Sequence, residues 1–281
     1  MEITNKFNLP QAYFNIAVRG VREPQEWVVS ATQLCLPQQI AQLQKKHWKE
    51  LTEDVSERLW AILGSSVAFA LSHADEGALT EHYMETKIGK WTLRGTLDHY
   101  HNGKISDYKV TSCYSFLLGD KPEWEQQLNI YAYLGLSTGL EVDELEINAI
   151  LRDHQASKGK YDEGYPLIPF VSKKIPLWSY DDQGVFIKAK LSALEQDELI
   201  PCTDEERWAS PTTYAVMKGD NKKATRVLDS MEEAEKYIED NKVLKASIVE
   251  RKGGYRRCSD YCPVRLHCPQ NKSELTPLEV S

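Results

Sequence analysis

The sequence lacks the features that mark membrane-spanning and secreted proteins. No run of about 18 apolar residues occurs, so no segment is predicted to span a membrane. Residues 1–11 contain neither the basic segment nor the apolar stretch of a secretory signal, and a cytoplasmic location is therefore expected. No internal repeat or low-complexity segment is found. With 281 residues, 41% hydrophobic and 10% aromatic, the chain is typical of a globular protein with one large domain or two small ones.

Positive charge is also scarce. The chain has 42 acidic and 34 basic residues and a net charge of −8, whereas proteins that coat nucleic acid are usually basic. This balance does not exclude an enzyme that contacts DNA through metal ions and a local basic groove. Two basic clusters lie toward the C-terminus: Lys218, Lys222, Lys223 and Arg226, then Arg251, Lys252, Arg256, Arg257 and Arg265. Each cluster taken singly is more simply interpreted as solvated surface.

A β-hairpin is predicted around the dipeptide Asn-Gly at residues 102–103, because a tight two-residue turn needs left-handed backbone at both positions. The register follows by counting: His101 faces Lys104, Tyr100 faces Ile105, His99 faces Ser106 and Asp98 faces Asp107. Two carboxylates opposed in this way are destabilising unless a cation lies between them. Mg²⁺ or Mn²⁺ suits oxygen ligands of this kind. Lys109 lies on the same face as Asp107, because side chains alternate along a strand.

Gly95 and Asp98, followed by Asp107, Tyr108 and Lys109, resemble the core of the PD-(D/E)xK nuclease superfamily. The resemblance implies that Asp98, Asp107 and the backbone carbonyl of Tyr108 hold the metal ion, while Lys109 positions or activates the attacking water. It also implies an α/β fold with a mixed central β-sheet flanked by helices. Glu85 lies where the family often places a further acidic ligand, here for a second metal ion, although a surface glutamate is the simpler interpretation.

A helix is predicted from Glu123 to about Gly135. On this helix Gln127 and Tyr131 are four residues apart and therefore share one face. A Gln-x-x-x-Tyr pattern after the Asp-x-Lys strand resembles the RecB-type exonucleases, in which these side chains line the DNA path beside the metal. The resemblance implies a metal-dependent deoxyribonuclease, and we expect an exonuclease that acts on DNA ends or single strands.

The preceding helix, predicted from Ser56 to about Ala74, departs from the RecB-type pattern. Family members carry a histidine four residues after a glycine, whereas Gly64 is followed four residues later by Ala68. His73 is five residues further, about 500° around the helix, and is not a substitute. Besides an active nuclease, the sequence is therefore compatible with a catalytically impaired DNA-binding or recombination protein. A third hypothesis is a zinc-stabilised interaction module whose hairpin acids are surface residues.

Three cysteines, Cys258, Cys262 and Cys268, fall within eleven residues. In a cytoplasmic protein this clustering favours metal ligands over disulfides. An iron–sulfur cluster suits thiolates, zinc is the alternative, and either requires a fourth ligand. Resemblance to nucleases of CRISPR adaptation implies Cys35 as that ligand, while resemblance to a phage and prophage branch implies Cys202, which we prefer. Cys113, just past the hairpin, is a further thiol.

These features predict three regions. Residues 1–29 form an N-terminal segment, residues 30–255 a nuclease domain, and residues 256–281 a cysteine-rich tail that packs on this domain. The metal of the tail would be structural, adding ligand bonds that the unfolded chain lacks. A capping box at Ser30 predicts that the nuclease domain begins with a helix running to about Glu50, with Pro37 near its first turn. A homo-oligomer is compatible with the sequence, but no residue indicates one.

Overall fold

A computed structural model describes residues 1–117, 119 and 121–272, and the chain divides into two compact units, residues 1–199 and residues 200–281. This boundary differs from the predicted domain limits, which remain a prediction. Part of the predicted tail, residues 273–281, lies outside the described residues. Within the described ranges no helix is both long and apolar enough to cross a membrane.

The first unit has the α/β arrangement predicted from the sequence, with a mixed central sheet and flanking helices. Its strands are β1 (Glu2–Thr4), β2 (Val28–Ser30), β3 (Thr52–Asp54), β4 (Leu79–Ile88), β5 (Trp91–His101), β6 (Lys104–Thr111), β7 (Glu144–Leu151) and β8 (Phe170–Ile175). Its helices are α1 (Gln11–Arg19), α2 (Ala31–Leu34), α3 (Gln38–Lys46), α4 (Leu59–Ser72), α5 (Cys113–Leu117), α6 (Pro122–Ser137) and α7 (Tyr180–Leu194). The central sheet has the order β2-β5-β6-β7-β8, with β4 on the free edge of β5, while β1 and β3 pair separately.

The hairpin between β5 and β6 has the predicted register. His99 pairs with Ser106, Tyr100 with Ile105 and His101 with Lys104. The turn residues have positive φ angles, 47° at Asn102 and 77° at Gly103, as the two-residue turn requires. The fourth predicted pair, Asp98 with Asp107, lies beyond the last pair of this ladder.

Two strands, β2 and β6, pair with different parts of the same edge of β5. Strand β4 runs antiparallel along the other edge from Trp91 to Tyr100. On the shared edge, β6 pairs only with residues 99–101, and β2 pairs in parallel with residues 92–94. Residues 95–98 therefore pair with neither β2 nor β6. We call this gap between β5 and β6 the fork.

The core of the first unit lies between the central sheet and helices α2, α6 and α7. The sheet contributes fully buried residues such as Leu93, Leu97 and Ile147, and α6 contributes Leu128 and Leu134. Each such side chain contributes roughly 1.5–3 kcal/mol by leaving water. Helix α6 extends slightly beyond its predicted limits.

Glycine at position 95 allows α6 to pack directly on β5. A Cβ atom at this position would lie 2.8 Å from Tyr131 Cε1 and 3.0 Å from Leu134 Cδ1. These distances are too short for carbon atoms, so any larger residue would push the helix away. The glycine of the Gly-x-x-Asp pattern thus makes room for the tyrosine of the Gln-x-x-x-Tyr pattern.

Two helical predictions before the hairpin need correction. The capping box at Ser30 is present, but its helix ends at Leu34, and a separate helix α3 begins after Pro37. Proline cannot donate the backbone hydrogen bond that a continuous helix would need there. Helix α4 forms near its predicted limits but is much less buried than expected, since Trp60 is 61% exposed and Phe69 60% exposed.

The second unit has few buried apolar residues. Its elements are α8 (Asp204–Arg207), β9 (Ala209–Ser210), β10 (Thr213–Lys218), β11 (Arg226–Leu228), α9 (Met231–Asp240), β12 (Ala246–Arg251), β13 (Gly254–Tyr255) and α10 (Pro269–Lys272). Strands β11, β10 and β12 form an antiparallel sheet on which α9 packs, and β9 pairs with β13. A π-helical turn, Arg257–Tyr261, follows β13. The buried apolar residues described here are Ala215, Val216, Ala234, Cys262, Val264 and Cys268.

Candidate active site

Asp98 lies at the point where the fork begins. Its Oδ2 accepts a hydrogen bond of 3.0 Å from the backbone N–H of Tyr108, so the side chain bridges from β5 to β6. Burial raises the pKa of the Asp98 carboxyl above its usual value. The raised pKa means that the positive charge near Asp98 is not sufficient to stabilise its ionised carboxylate fully.

Asp107 is the most deeply buried acid of the site, with 2% of its surface exposed. Burial raises the pKa of its carboxyl to about 6; Lys109 opposes the shift and the negative charge of Asp98 adds to it. Lys109 Nζ lies 2.6 Å from Asp107 Oδ2, yet this oxygen has no hydrogen bond of good geometry among the described residues. Two buried acids therefore share a single close cation, which leaves a deficit of positive charge.

Lys109 joins the acids of the sheet to helix α6. Its ammonium donates a hydrogen bond of 3.2 Å to Gln127 Oε1, and Gln127 Nε2 donates one of 3.0 Å to the hydroxyl oxygen of Tyr131. Burial, followed by the charge of Asp107, raises the pKa of the Tyr131 hydroxyl, which stays protonated at neutral pH. The residues of the Asp-x-Lys and Gln-x-x-x-Tyr patterns thus form one continuous polar chain.

Glu85 lies apart from this group. It faces Arg94 across β4 and β5, four residues from Asp98 along β5, or about 13 Å at the usual rise per residue. Its carboxylate accepts a hydrogen bond of 2.5 Å from the Tyr83 hydroxyl and is exposed. The acid beside Asp98 is Glu81, which interrupts the ladder between its neighbours Thr80 and His82 with a φ of 46°, and its charge adds to the raised pKa of Asp98.

Sequence reasoning missed Glu81 because a regular strand offers no sign of such an interruption. Counting back along β4 from the pair Ile88 with Trp91 places residue 81 opposite Asp98, but this count requires the pairing of β4 with β5, which was not predicted from the sequence.

Ala68 is buried on helix α4, which packs on β5 and β6. Strand β5 does carry a buried histidine. His99 directly follows Asp98, is 7% exposed, and its Nε2 lies 2.7 Å from Asp75 Oδ2. Its Nδ1 has no hydrogen-bond partner among the described residues. The hydrogen bond with His99 lowers the pKa of the Asp75 carboxyl, so this carboxylate orients the imidazole.

The second unit contains the four cysteines Cys202, Cys258, Cys262 and Cys268. The pKa of the Cys202 thiol is raised to about 12, first by burial, then by Glu206, and further by Cys268, Cys262 and Cys258. Cys262 likewise has a raised pKa, caused first by burial and then in part by Cys258 and Cys268. Both Cys202 and Cys262 are therefore affected by Cys258 and Cys268, and thiols are the ligands that thiophilic metals prefer.

Cys35 and Cys113 have other surroundings in the first unit. Burial raises the pKa of Cys35 to about 12, and the charges acting on it are those of Lys190, Glu123 and Lys109. The Cys113 sulfur accepts a hydrogen bond of 3.1 Å from the Tyr165 hydroxyl.

Comparison with models of protein families finds no match to this chain. Comparison with curated proteins likewise finds none.

Several solved structures share part of the arrangement. The protein SSO0001 aligns with a TM-score of 0.46 and 15% identity, over 70% of this chain and 87% of its own. An alkaline exonuclease from Laribacter hongkongensis aligns with a TM-score of 0.40 and 10% identity, over 66% of this chain and 93% of its own. A phage-related exonuclease from Haemophilus somnus 129PT aligns with a TM-score of 0.29 and 13% identity, over 66% and 78%.

Proposed function

We propose that this chain is a metal-dependent deoxyribonuclease of the RecB type that hydrolyses phosphodiester bonds at DNA ends or in single strands. The observation that carries the proposal is the polar chain from Asp107 through Lys109 and Gln127 to Tyr131, beside Asp98 at the fork. Burying the acid Asp107 in this arrangement has a cost in stability that packing alone does not explain. Costs of this kind are typical of catalytic sites.

The buried acids fit a divalent cation. Asp98, Asp107 and the backbone carbonyl of Tyr108 would hold Mg²⁺ or Mn²⁺, both of which prefer oxygen ligands. The fit is supported by the raised pKa values of both acids and by the Asp107 oxygen that lacks a well-aligned hydrogen bond. A bound ion would polarise the phosphate and lower the pKa of a coordinated water. Glu81 replaces Glu85 in this proposal as the further acidic ligand.

The remaining residues would position the reactants. The Lys109 ammonium lies between Asp107 and Gln127, where it can orient a water and stabilise the negative charge that develops on the phosphate. Gln127 holds this ammonium and in turn contacts Tyr131, so the helix fixes the lysine side chain. Tyr131 and Gln127 would also contact the DNA strand beside the metal.

The four thiols of the second unit would hold an iron–sulfur cluster, with Cys202 as the fourth ligand in preference to Cys35. This choice is supported by the effect of Cys258, Cys262 and Cys268 on the pKa of Cys202. Such a cluster would be structural. Zinc is the alternative that metal analysis of the purified protein would reveal.

The test of the catalytic proposal is cleavage of end-labelled single- and double-stranded DNA with Mn²⁺, Mg²⁺ or EDTA. We expect cleavage with metal and none with EDTA. Replacing Lys109 by alanine should lower the rate by roughly 100- to 1,000-fold, because it removes a charge that stabilises the transition state. Lys104→Ala is the matched control, since Lys104 lies on the same strand but pairs with Glu146. Equal rates for both variants would contradict the proposal.

A second candidate function is a DNA-binding or recombination protein with little catalytic activity. Ala68, buried where RecB-type enzymes have a histidine, favours it. The variant Ala68→His separates the two functions in the same cleavage assay. If only this variant cuts, the chain is a disabled enzyme; if wild type also cuts, the histidine is dispensable here. DNA binding without cleavage by either protein would favour the second function.

A further inference from the structure

The second unit carries a group of neighbouring aromatic and guanidinium side chains that is partly exposed. The group consists of Arg207, Trp208, Tyr255, Arg256, Arg257 and Tyr261, and we call it the aromatic–arginine surface. Two of its rings are open to solvent: Trp208 is 41% exposed and Tyr261 is 55% exposed. Exposed aromatic rings that lie next to one another form a patch, and such patches mark interaction sites.

The contacts within this surface are close and regular. The ring centroids of Trp208 and Tyr261 lie 5.4 Å apart. The Arg257 guanidinium lies 4.5 Å from the centre of the Trp208 ring, and the Arg256 guanidinium lies 5.5 Å from the centre of the Tyr261 ring. Both distances are within the range of cation–π contacts. These contacts fix the rings in place, so little side-chain entropy remains to be lost on binding.

Two further contacts, a cation–π contact and a hydrogen bond, stabilise the surface. The Arg207 guanidinium lies 3.2 Å from the centre of the Tyr255 ring. Arg257 donates a hydrogen bond of 2.6 Å to the backbone carbonyl of Glu206. Trp208 itself has left-handed backbone, with φ 56° and ψ 55°, which bulky residues seldom adopt.

The positive charge of residues 251–257 indicates the kind of partner. Residues 251–257 contain two arginines at one end, an arginine and a lysine at the other, and no acid. Guanidinium groups next to exposed aromatic rings match a polymer that alternates phosphates with flat bases. In a duplex the bases already stack on one another, whereas a single strand offers its base faces to a protein.

We propose that the aromatic–arginine surface binds single-stranded DNA, with bases stacked on Trp208 and Tyr261 and phosphates next to Arg256 and Arg257. The choice of DNA rests on the proposed nuclease function, since the same chemistry would accept any single-stranded nucleic acid. The surface consists of residues of the second unit, whereas the proposed catalytic residues belong to the first, so variants of the surface leave the catalytic side chains unchanged.

The test is binding of a labelled oligothymidylate to the full chain in EDTA, followed by fluorescence anisotropy, so that no cleavage occurs. Trp208→Ala and Tyr261→Ala should each weaken binding by roughly 5- to 150-fold, the loss typical of one stacked base. Trp208→Phe retains a ring and should recover most of the affinity. Tyr161→Ala is the matched control, because Tyr161 is an 89% exposed aromatic in the first unit and should not affect binding.

Arg256→Gln gives a test that does not depend on the rings. Arg256 is exposed, and the contacts described for its side chain are with Tyr261, so the variant should fold normally. We expect weaker binding and a slope of affinity against salt reduced by about 0.7, as for the loss of one phosphate contact in a single strand. A duplex of equal length should compete poorly with the oligothymidylate.

Folded variants that bind the oligothymidylate as tightly as wild type would overturn the inference, even if wild type cleaves DNA. The reverse outcome is distinguishable. Loss of binding in Trp208→Ala and Arg256→Gln, in a chain that does not cleave DNA with metal, would support this surface and contradict the catalytic proposal alone.

Discussion

The two units of the chain reach a folded state by different means. Residues 1–199 enclose a continuous apolar core between a sheet and helices, and this core includes large side chains such as Leu93, Leu128 and Leu145. Residues 200–281 bury few large apolar side chains among those described, and two of their buried residues are cysteines. Small units without a sufficient core usually depend on a metal or disulfides. Packing therefore stabilises the first unit, and we propose that metal bound by thiols stabilises the second.

The difference also separates two kinds of polar burial. The first unit has a large core, within which Asp107 is buried and Asp98 partly buried at a cost that a metal ion would offset. The second unit buries thiols, which cost little as long as they remain protonated. In the proposed function, the buried polar groups of the first unit serve chemistry and the thiols of the second serve folding.

The largest predicted effect is that of Cys262→Ser in the second unit. The variant should lose iron and destabilise residues 200–281 by at least about 4 kcal/mol, because a structural metal site contributes roughly 10 kcal/mol or more of binding free energy. Metal analysis and thermal unfolding of the same preparations measure both effects.

Cys113→Ser is the control for a buried thiol in the first unit, and it should keep its full metal content. If Cys262→Ser retained its iron and melted like wild type, the second unit would need another explanation for its stability.

A smaller effect is predicted for Gly95→Ala in the first unit. The added Cβ would collide with Tyr131 and Leu134, so the free energy of unfolding should fall by about 1–3 kcal/mol as helix α6 shifts. Because Tyr131 belongs to the polar chain of the site, cleavage should decrease as well. Chemical denaturation measures the first effect.

Gly64→Ala is the matched control, since no atom lies within 4 Å of the added Cβ and alanine favours the helix. Its stability should equal or exceed that of wild type. A Gly95→Ala protein as stable as wild type would show that the close approach of α6 to β5 is not required.

The smallest effect concerns Asp54 in the first unit. Hydrogen bonds from the Lys6 amide first, and then from Ser56 and Thr4, hold the pKa of its carboxyl well below the usual range. The lowered pKa in the folded state means that the ionised carboxylate stabilises the fold above its unfolded pKa, about 3.9, and that this contribution is lost as the pH falls further.

Asp54→Asn should therefore lower the melting temperature at neutral pH, and the difference from wild type should shrink below about pH 4. Thermal unfolding across this pH range measures it. A difference that stayed constant down to pH 2 would show that charge is not the cause.

The parts of the site that local rules determine could be predicted from the sequence. The Asn-Gly turn fixes the hairpin register, and the register gives the positions of Asp98, Asp107 and Lys109. Helical spacing placed Gln127 and Tyr131 on one face, and they do contact each other. In each case the signal lies within a few residues of the structure that it determines.

The features that depend on distant pairing could not be predicted. The fork exists because β2 (Val28–Ser30), which is distant from β5 (Trp91–His101) in the sequence, pairs with the same edge of β5 as β6 does. The interruption at Glu81, which sets this residue and not Glu85 beside Asp98, has no local signal. The aromatic–arginine surface likewise combines residues 207–208 with residues 255–261, which are separated in the sequence by β10, β11, α9 and β12. Such features follow from packing, which a single sequence does not display.

The central claim, that Asp98 and Asp107 hold a divalent metal, is tested most directly by Mn²⁺ binding followed by electron paramagnetic resonance. Wild type should bind Mn²⁺, and Asp107→Asn should weaken binding by roughly 100-fold or more, since even residues that only support a ligand contribute 10- to 100-fold. Glu144→Gln, which changes an exposed acid on β7, should bind like wild type. Equal Mn²⁺ affinity in wild type and Asp107→Asn would contradict the account.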